Sequence, residues 1–460
     1  MTQSADLTLG AISNLIQQKE LSVTEVVNNY LDRIKQFEST LKAWVSVDEE
    51  NALAKASVLD KAVRGDNNRS LLHGIPFGVK DIFWVKDSVT SAGSPIYRDF
   101  VPRQHATVVG NLLSAGAVFL GKTVTTEFAT GDPPQTVNPW NPLHTPGGSS
   151  SGSAVAVSTG MCSFALGSQT SGSVLRPASY NGIVGFKPTF GLLSKFGMFS
   201  ASWSMDTVGV LCRSVQDSSY AFHYMASHDQ RDPSSSSKHV TLASKDITVP
   251  DNLRPRLGVV KGMFKDASDH IAWANFESVV QKAANNGATV IEFDPSDTFE
   301  RARTAQYIIQ RSEFASYQEE NYNKWPHLYS PVSRSWVEHG KVFTGVDYIN
   351  AQRIRSLFIE EMRSFLSQVD VLLTPSTPAA APKDLSKTGN PLFQGLWTLS
   401  GAPAISIPSG LSDQGMPLGL QILGNWYDEN QLLVIARWFE ELLSLYLIPP
   451  LVVRKTNEGA

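Results

Sequence analysis

Apolar positions in the first 60 residues recur at helical spacing. Ala11, Ile12, Leu15 and Ile16 mark one face, and Val26, Val27, Tyr30, Leu31 and Ile34 mark a second. Before the second run stands Ser22-Val23-Thr24-Glu25, whose serine and glutamate three apart predict a capped helix start. The pattern then shortens. Gly74-Ile75-Pro76-Phe77-Gly78-Val79 and Ala117-Val118-Phe119-Leu120 read as strands, with a helix predicted over Thr107 to Leu113. Gly182 to Pro188 is another short apolar run between breakers. Arg256-Leu257-Gly258-Val259-Val260, Val369-Asp370-Val371-Leu372-Leu373 and Leu418 to Leu423 predict strands. Residues 269–286 predict a helix, and Leu432 to Leu445 a closing amphipathic helix. Strands alternating with helices predict an α/β fold in which helices cover a sheet. Residues 227–252, with Asp232-Pro233 and the run Ser234 to Ser237, predict a polar surface excursion rather than a domain boundary.

Composition narrows the class. At about 150 residues per domain, 460 residues allow three domains or one long α/β unit. With 42% hydrophobic and 18% charged residues the chain is globular, neither disordered nor fibrous. Lys+Arg of 39 against Asp+Glu of 43 gives a net charge of −4 without blocks of one sign. Neither nucleic acid nor an anionic membrane is therefore the expected partner. Two cysteines, Cys162 and Cys212, exclude a disulfide framework and a cysteine zinc site. The nine histidines are scattered without ligand spacing, so no metal or other cofactor is expected. Met1-Thr2-Gln3-Ser4-Ala5-Asp6 lacks the basic and apolar run of a signal peptide. No stretch approaches the roughly 18 apolar residues of a membrane span, and a cytoplasmic chain is expected.

Two segments fit known patterns in the wrong context. Gly116-Ala117-Val118-Phe119-Leu120-Gly121-Lys122-Thr123 satisfies the phosphate-loop pattern, but its four intervening residues are apolar and suit a buried strand. The short stretch from there to Gly131-Asp132-Pro133-Pro134 leaves little room for the helix such a loop must open. Gly148-Ser149-Ser150-Ser151-Gly152 fits a nucleophile elbow, yet His144-Thr145-Pro146-Gly147 before it is not strand-like. That elbow's triad also ends in histidine, and the last one here, His339, has no obvious acid partner.

Residues 145–188 carry more information. Two Gly/Ser loops, Gly147 to Ser153 and Gly167 to Ser173, each run into an apolar stretch, Ala154 to Val157 and Val174-Leu175. Small residues let backbones approach closely and can present successive N–H groups to an anion. Composition alone favours plain turns. A serine nucleophile needs a base, and without a nearby histidine the remaining choice is a desolvated lysine. Gly78-Val79-Lys80-Asp81 places a lysine at the end of an apolar strand, although a strand-end lysine is ordinarily a solvated charge.

Taken in order, Gly78-Val79-Lys80-Asp81, Gly147 to Ser153, Gly167 to Ser173 and Gly185-Phe186-Lys187-Pro188-Thr189 resemble the amidase signature family. The resemblance extends to Pro417-Leu418-Gly419-Leu420-Gln421, nearly the whole chain. It implies one α/β/α domain over residues 1–460, a large mixed sheet covered by helices, with N-terminal helices at about 1–60. It further implies a Ser–cis-Ser–Lys triad: Ser173 as nucleophile, Ser149 as bridging serine after a cis peptide, and Lys80 as neutral base. Backbone N–H groups of Thr170, Ser171, Gly172 and Ser173 would hold the oxyanion, with Ala129 and Thr130 added to the oxyanion and substrate-binding set. The family's second loop usually reads Asp-Thr-Gly-Gly-Ser-Ile-Arg, whereas here it is Gln169-Thr170-Ser171-Gly172-Ser173-Val174-Leu175 with Arg176 displaced. That departure puts the loop's supporting contacts in question.

The function implied is a hydrolase cleaving a carboxylic amide through a serine acyl-enzyme, acting on a small-molecule amide-type substrate. Ester, carbamate and aryl-anilide bonds fit the same chemistry. The alternative is the glutaminase-type A subunit of a tRNA-dependent amidotransferase. Against that reading, the segment between Glu127-Phe128 and Pro146-Gly147 is short and carries Asp132-Pro133-Pro134. A catalytically silent binding or scaffold protein is a third reading, opposed by the presence of the lysine and both serines. A homodimer is compatible with the chain. Tyr307, Phe314, Tyr317, Tyr322, Trp325, Tyr329 and Trp336 either line an apolar or aryl acyl pocket or pack helices.

Overall fold

The short apolar runs pair into one sheet. The structure, a computed structural model, describes residues 4–62, 70–238 and 246–453. Its strands are β1 (Trp44–Val47), β2 (Pro76–Lys80), β3 (Val118–Thr123), β4 (Phe164–Gln169), β5 (Val184–Lys187), β6 (Thr207–Cys212), β7 (Arg256–Val260), β8 (Thr289–Phe293), β9 (Val371–Pro375), β10 (Ala404–Leu411) and β11 (Pro417–Leu423). They lie in the order β1-β3-β2-β4-β6-β5-β10-β11-β9-β7-β8. β2 runs parallel to β3 and β4, and β7 parallel to β8 and β9, while the strands between β4 and β9 pair antiparallel. The sheet is therefore mixed. β2, β4, β6, β9 and β11 are buried at every position, as strands covered on both faces must be.

Helices Leu9–Gln17, Val23–Leu41 and Glu49–Ala62 form the N-terminal layer. The capping pair works as its spacing predicts. Ser22 Oγ accepts the Glu25 N–H at 3.1 Å, and the Ser22 N–H donates to the Glu25 carboxylate at 2.8 Å. The run Gly116 to Thr123 is a turn and β3. Lys122 is buried on that strand, donating to the Phe83 carbonyl at 2.5 Å and pairing with Asp81 at 3.2 Å. It serves a strand, not a phosphate.

Three features differ from the pattern reading. Strands β1, β4, β6, β8 and β10 have no counterpart in it: β4 and β6 are buried throughout and show no alternation to identify them, while β1 and β8 are short edge strands, mostly exposed or half-buried. Gly167, Ser168 and Gln169 are the end of β4 rather than loop. Their backbone pairs with Gly209, Val208 and Thr207 of β6, so the sheet supplies hydrogen bonds that composition would assign to a turn. Ser151-Gly152-Ser153 likewise opens a helix, Ser151–Ser158. The 227–252 segment is free of helix and strand where described, with 239–245 outside the described residues. Two buried carboxylates tie it down: Asp229 accepts from Ser194 Oγ at 2.9 Å, and Asp232 from the Lys195 N–H at 2.8 Å.

Gly152 shows how tightly these layers meet. A Cβ there would stand 2.1 Å from the Ala43 carbonyl oxygen and 2.4 Å from the Val124 nitrogen. Both are backbone atoms that cannot swing aside. Gly345 opens a helix with nothing within 4 Å of the corresponding point. Gly152→Ala should lower the urea unfolding free energy by about 3 kcal/mol or more, whereas Gly345→Ala should leave it level or raise it by up to about 1 kcal/mol. Equal effects of the two substitutions would contradict this packing.

Candidate active site

Two parallel strand ends bring the first side chains together. Val79 of β2 stands opposite Leu166 of β4, so Lys80 emerges beside Gly167 and Ser168. Lys80 is fully buried, with Nζ 2.7 Å from Ser149 Oγ and 2.8 Å from Ser168 Oγ. Burial holds its ammonium well below the ordinary lysine range, and the buried carboxylate of Asp206 pulls the other way. The carboxyl ends of parallel strands are where open α/β sheets place their chemistry.

The first small-residue loop delivers Ser149. The Gly148–Ser149 peptide is cis. Of the serines around it, the others are occupied by structure. Ser150 Oγ accepts the Ser168 N–H at 3.3 Å and donates to the Ser168 carbonyl at 3.4 Å. Ser151 Oγ donates to the Gly147 carbonyl at 2.7 Å, and Ser153 Oγ to the Leu166 carbonyl at 2.9 Å. Ser150, the elbow position, is thus a buried strap between loop and sheet.

The second loop delivers Ser173. Its carbonyl accepts the Ser150 N–H at 3.3 Å, which stitches the two loops together. Its residue is 6% exposed, against 0% for Lys80 and Ser149. The N–H groups of Ser171, Gly172 and Ser173 donate to no described group. Gly172 is confined: a Cβ there would lie 2.6 Å from Gln394 Oε1 and 3.2 Å from Arg176 Nη1. Thr170 is anchored through Oγ1 to Asp206 Oδ1 at 2.5 Å, and the Ser171 carbonyl accepts from Thr398 Oγ1 at 2.6 Å.

The departures from the family's loop also find their contacts here. Gln169 Oε1 accepts the N–H groups of Val174 and Leu175, both at 3.0 Å, and its Nε2 donates to Thr398 Oγ1 at 3.0 Å. A neutral amide therefore ties down the turn that follows Ser173. Arg176 is buried and donates through Nη2 to the Gly148 carbonyl at 2.6 Å, the peptide unit just before Ser149. Burial lowers its pKa to about 10.

Ala129 and Thr130 stand on a separate short helical turn, Glu127–Ala129 and its cap. Their N–H groups are already used, donating to Thr126 and Glu127 carbonyls at 3.0 and 2.9 Å. The Ala129 carbonyl accepts from no described group. Sequence reasoning assigned no role to Ser168 although it stands in the second Gly/Ser segment, and it missed Asp206, Gln306, Gln310 and Thr398, which stand in no motif and reach the site across the fold. Of the aromatic residues in 300–345, Tyr307 lines a cavity beside the second loop. Phe314 and Tyr329 instead pack on Phe128, with ring centroids 6.3 and 5.4 Å away.

Comparison with known proteins agrees with the fold and the loops. The amidase family pattern matches residues 25–433, and the chain belongs to that family of enzymes. It is similar to the A subunit of Glutamyl-tRNA(Gln) amidotransferase from Trichodesmium erythraeum (strain IMS101), 33% identical with 96% of this chain and all of that one covered. Among solved structures it is similar to the native peptide amidase of Stenotrophomonas maltophilia, with TM-score 0.85, 28% identity, and 96% of this chain and 98% of the other covered. It is also similar to the A subunit of Glutamyl-tRNA(Gln) amidotransferase from Thermotoga maritima, with TM-score 0.80, 26% identity and 98% of each chain covered.

Gln169 offers a direct check on the loop. Gln169→Leu keeps the volume but strands two buried N–H groups, which costs about 1–3 kcal/mol. Urea unfolding monitored by tryptophan fluorescence should show a loss in that range. Unchanged stability would mean that the amide does not cap the turn.

Proposed function

We propose that this chain hydrolyses carboxylic amides through an acyl-enzyme on Ser173, with Ser149 as proton bridge and Lys80 as base. The observation that carries the reading is the fully buried Lys80 amine held between two hydroxyls, with no carboxylate bonded to it. A neutral amine has one lone pair and two N–H groups. The lone pair suits the Ser149 proton, and an N–H suits Ser168. As Ser173 Oγ attacks the carbonyl carbon, its proton passes to Ser149 and the Ser149 proton to Lys80. The open N–H groups of Ser171, Gly172 and Ser173 suit the oxygen that becomes negative. Collapse breaks the C–N bond, and the proton returns from Lys80 through Ser149 to the departing amine. Water then repeats the sequence, releasing the carboxylic acid and restoring Ser173. For Ala129 the group left to meet a substrate is its carbonyl.

A second reading, the amidotransferase subunit, is favoured by the 33% identity to such subunits over nearly the whole chain. We favour the self-sufficient hydrolase. Every group in the relay belongs to one chain, and the net charge of −4 offers no overall basic surface to tRNA. None of the described helices is long and apolar enough to cross a membrane.

Three measurements test this reading. A fluorophosphonate should label Ser173 alone, and label on Ser150 would restore the elbow. Lys80→Ala should lower kcat/KM by about 10²–10⁴-fold with the fold intact by circular dichroism; retention of a tenth of the activity removes Lys80 as base. Because burial lowers the Lys80 pKa, protonation below that value silences the base, so kcat/KM should fall on the acid side of a single ionisation. Asp206 opposes the shift, so Asp206→Asn should move that limb to lower pH.

Partner dependence separates the two functions. The purified chain should release amine from an aryl or aliphatic amide without ATP, tRNA or another subunit. Activity confined to glutamine and dependent on added subunits would decide for the amidotransferase.

A further inference from the structure

Ser171 stands two residues before Ser173, at a position where the family's usual loop has glycine. Its hydroxyl oxygen accepts two hydrogen bonds, from Gln306 Nε2 at 2.9 Å and Gln310 Nε2 at 3.1 Å. The direction of both bonds is set from outside. Arg311 Nη1 donates to Gln310 Oε1 at 3.1 Å, and a guanidinium can only donate. The carbonyl end of Gln310 is thus committed to Arg311, and its NH₂ end faces Ser171. Gln306 Nε2 also lies 3.4 Å from Gln310 Oε1, which turns that amide the same way. Arg311 is itself clamped, its guanidinium carbon 3.5 Å from the Trp336 ring centre and 4.6 Å from that of Tyr307.

A hydroxyl has two lone pairs and one proton to donate. Here the two amides occupy both lone pairs, so only the proton of Ser171 remains to be placed. No described group accepts it. Ser171 is partly exposed and is bonded to Gln306, which with Tyr307 lines a cavity. This space, of about 470 Å³, is completed by Thr304, Leu392, Gly395 and Leu396 among others. A Cβ built on Gly395 would stand 3.9 Å from the Ser171 Cβ. Two of the cavity's lining residues, Gln306 and Gly395, thus flank a hydroxyl whose polarity the protein has already decided.

We propose that Ser171 is a specificity residue whose O–H donates to an oxygen acceptor on the acyl chain of the substrate in this cavity. The proposal rests on Ser173 being the nucleophile. The same loop would hold the acyl oxygen through acylation and deacylation, so a fixed donor on it can select the acyl group in both steps. Acyl chains with an ether, carbonyl or carboxylate oxygen a few atoms from the scissile carbonyl satisfy the donor. Wholly aliphatic chains leave it unpaired, and chains that present an N–H there meet donor with donor.

The test uses the p-nitroanilide of hexanoic acid and three analogues in which oxygen replaces the methylene at position 3, 4 or 5. For each enzyme the readout is kcat/KM of the oxygen analogue divided by that of the parent. This ratio is insensitive to a general loss of activity, and comparison between enzymes cancels the intrinsic effect of oxygen on the anilide. In the wild type one position should give a ratio roughly tenfold above that of Ser171→Ala. Gln310→Glu keeps the Ser171 hydroxyl but offers it a carboxylate acceptor, so that variant should lose the preference as well. Ratios equal in all three enzymes overturn the inference, as does a Ser171-dependent preference found only when oxygen is moved to the amine side. If cleavage occurs and Ser173 is labelled by a fluorophosphonate, such a result overturns this inference alone. If neither occurs, the underlying hydrolase reading falls with it.

Discussion

An amine kept dry without a carboxylate bonded to it is the constraint on which the site depends. Water or an ion pair would keep Lys80 protonated, and a protonated lysine has no lone pair to offer. The sheet ends β2 inside the protein, between β3 and β4, and among the described residues the Lys80 amine bonds two hydroxyls, those of Ser149 and Ser168. Two other buried lysines show what the alternatives do. Lys122 pairs with Asp81, which opposes the effect of burial and leaves its pKa at about 8. Lys187 falls to about 7 but donates to the carbonyls of Pro188 and Ala402, neither of which can pass on a proton. Depressed basicity is thus common in this core. Partners that can relay a proton are what set Lys80 apart.

Keeping that amine dry requires the loops around it to pack at backbone distance. Gly152 lets the first loop and its helix press on the β1 and β3 ends, and Gly172 lets the second loop pass under Gln394 and Arg176. Ser150, Ser151 and Ser153 contribute by closing backbone hydrogen bonds of the loop and the sheet. The N–H groups left open cluster at Ser171, Gly172 and Ser173, where negative charge would develop.

Gln169 bears on how much charge this arrangement needs. Its side-chain oxygen accepts two N–H groups after Ser173, a task for which geometry suffices and ionisation is unnecessary. With a neutral residue there, the buried carboxylate nearest in influence to Lys80 is Asp206, which reaches the loop through Thr170. The loop can therefore change its first residue without losing its shape, because the contact requires an acceptor of the right reach rather than a charge.

Much of the fold was legible in local patterns: the N-terminal helices with their Ser22–Glu25 cap, β2 with its terminal lysine, and β7 at its observed limits. The motif order from Lys80 through Ser149 to Ser173 pointed to one family because it concerns residue identity, which sequence carries directly. Sequence could not show that Gly167 to Gln169 belongs to a strand, since the pairing partner, β6, begins at Thr207. Nor could it separate Tyr307, at a cavity, from Phe314 and Tyr329 in the core, because all of them occupy helices or turns of similar composition. The polarity of the Ser171 hydroxyl lies furthest from local reading. It depends on Gln306, Gln310 and Arg311, more than 130 positions away, and on two rings that fix the arginine. The chain by itself determined which chemical groups were present and in what order. Tertiary structure decided which of them are dry, which are already bonded and which remain free to act, because desolvation and hydrogen-bond saturation belong to neighbours in space.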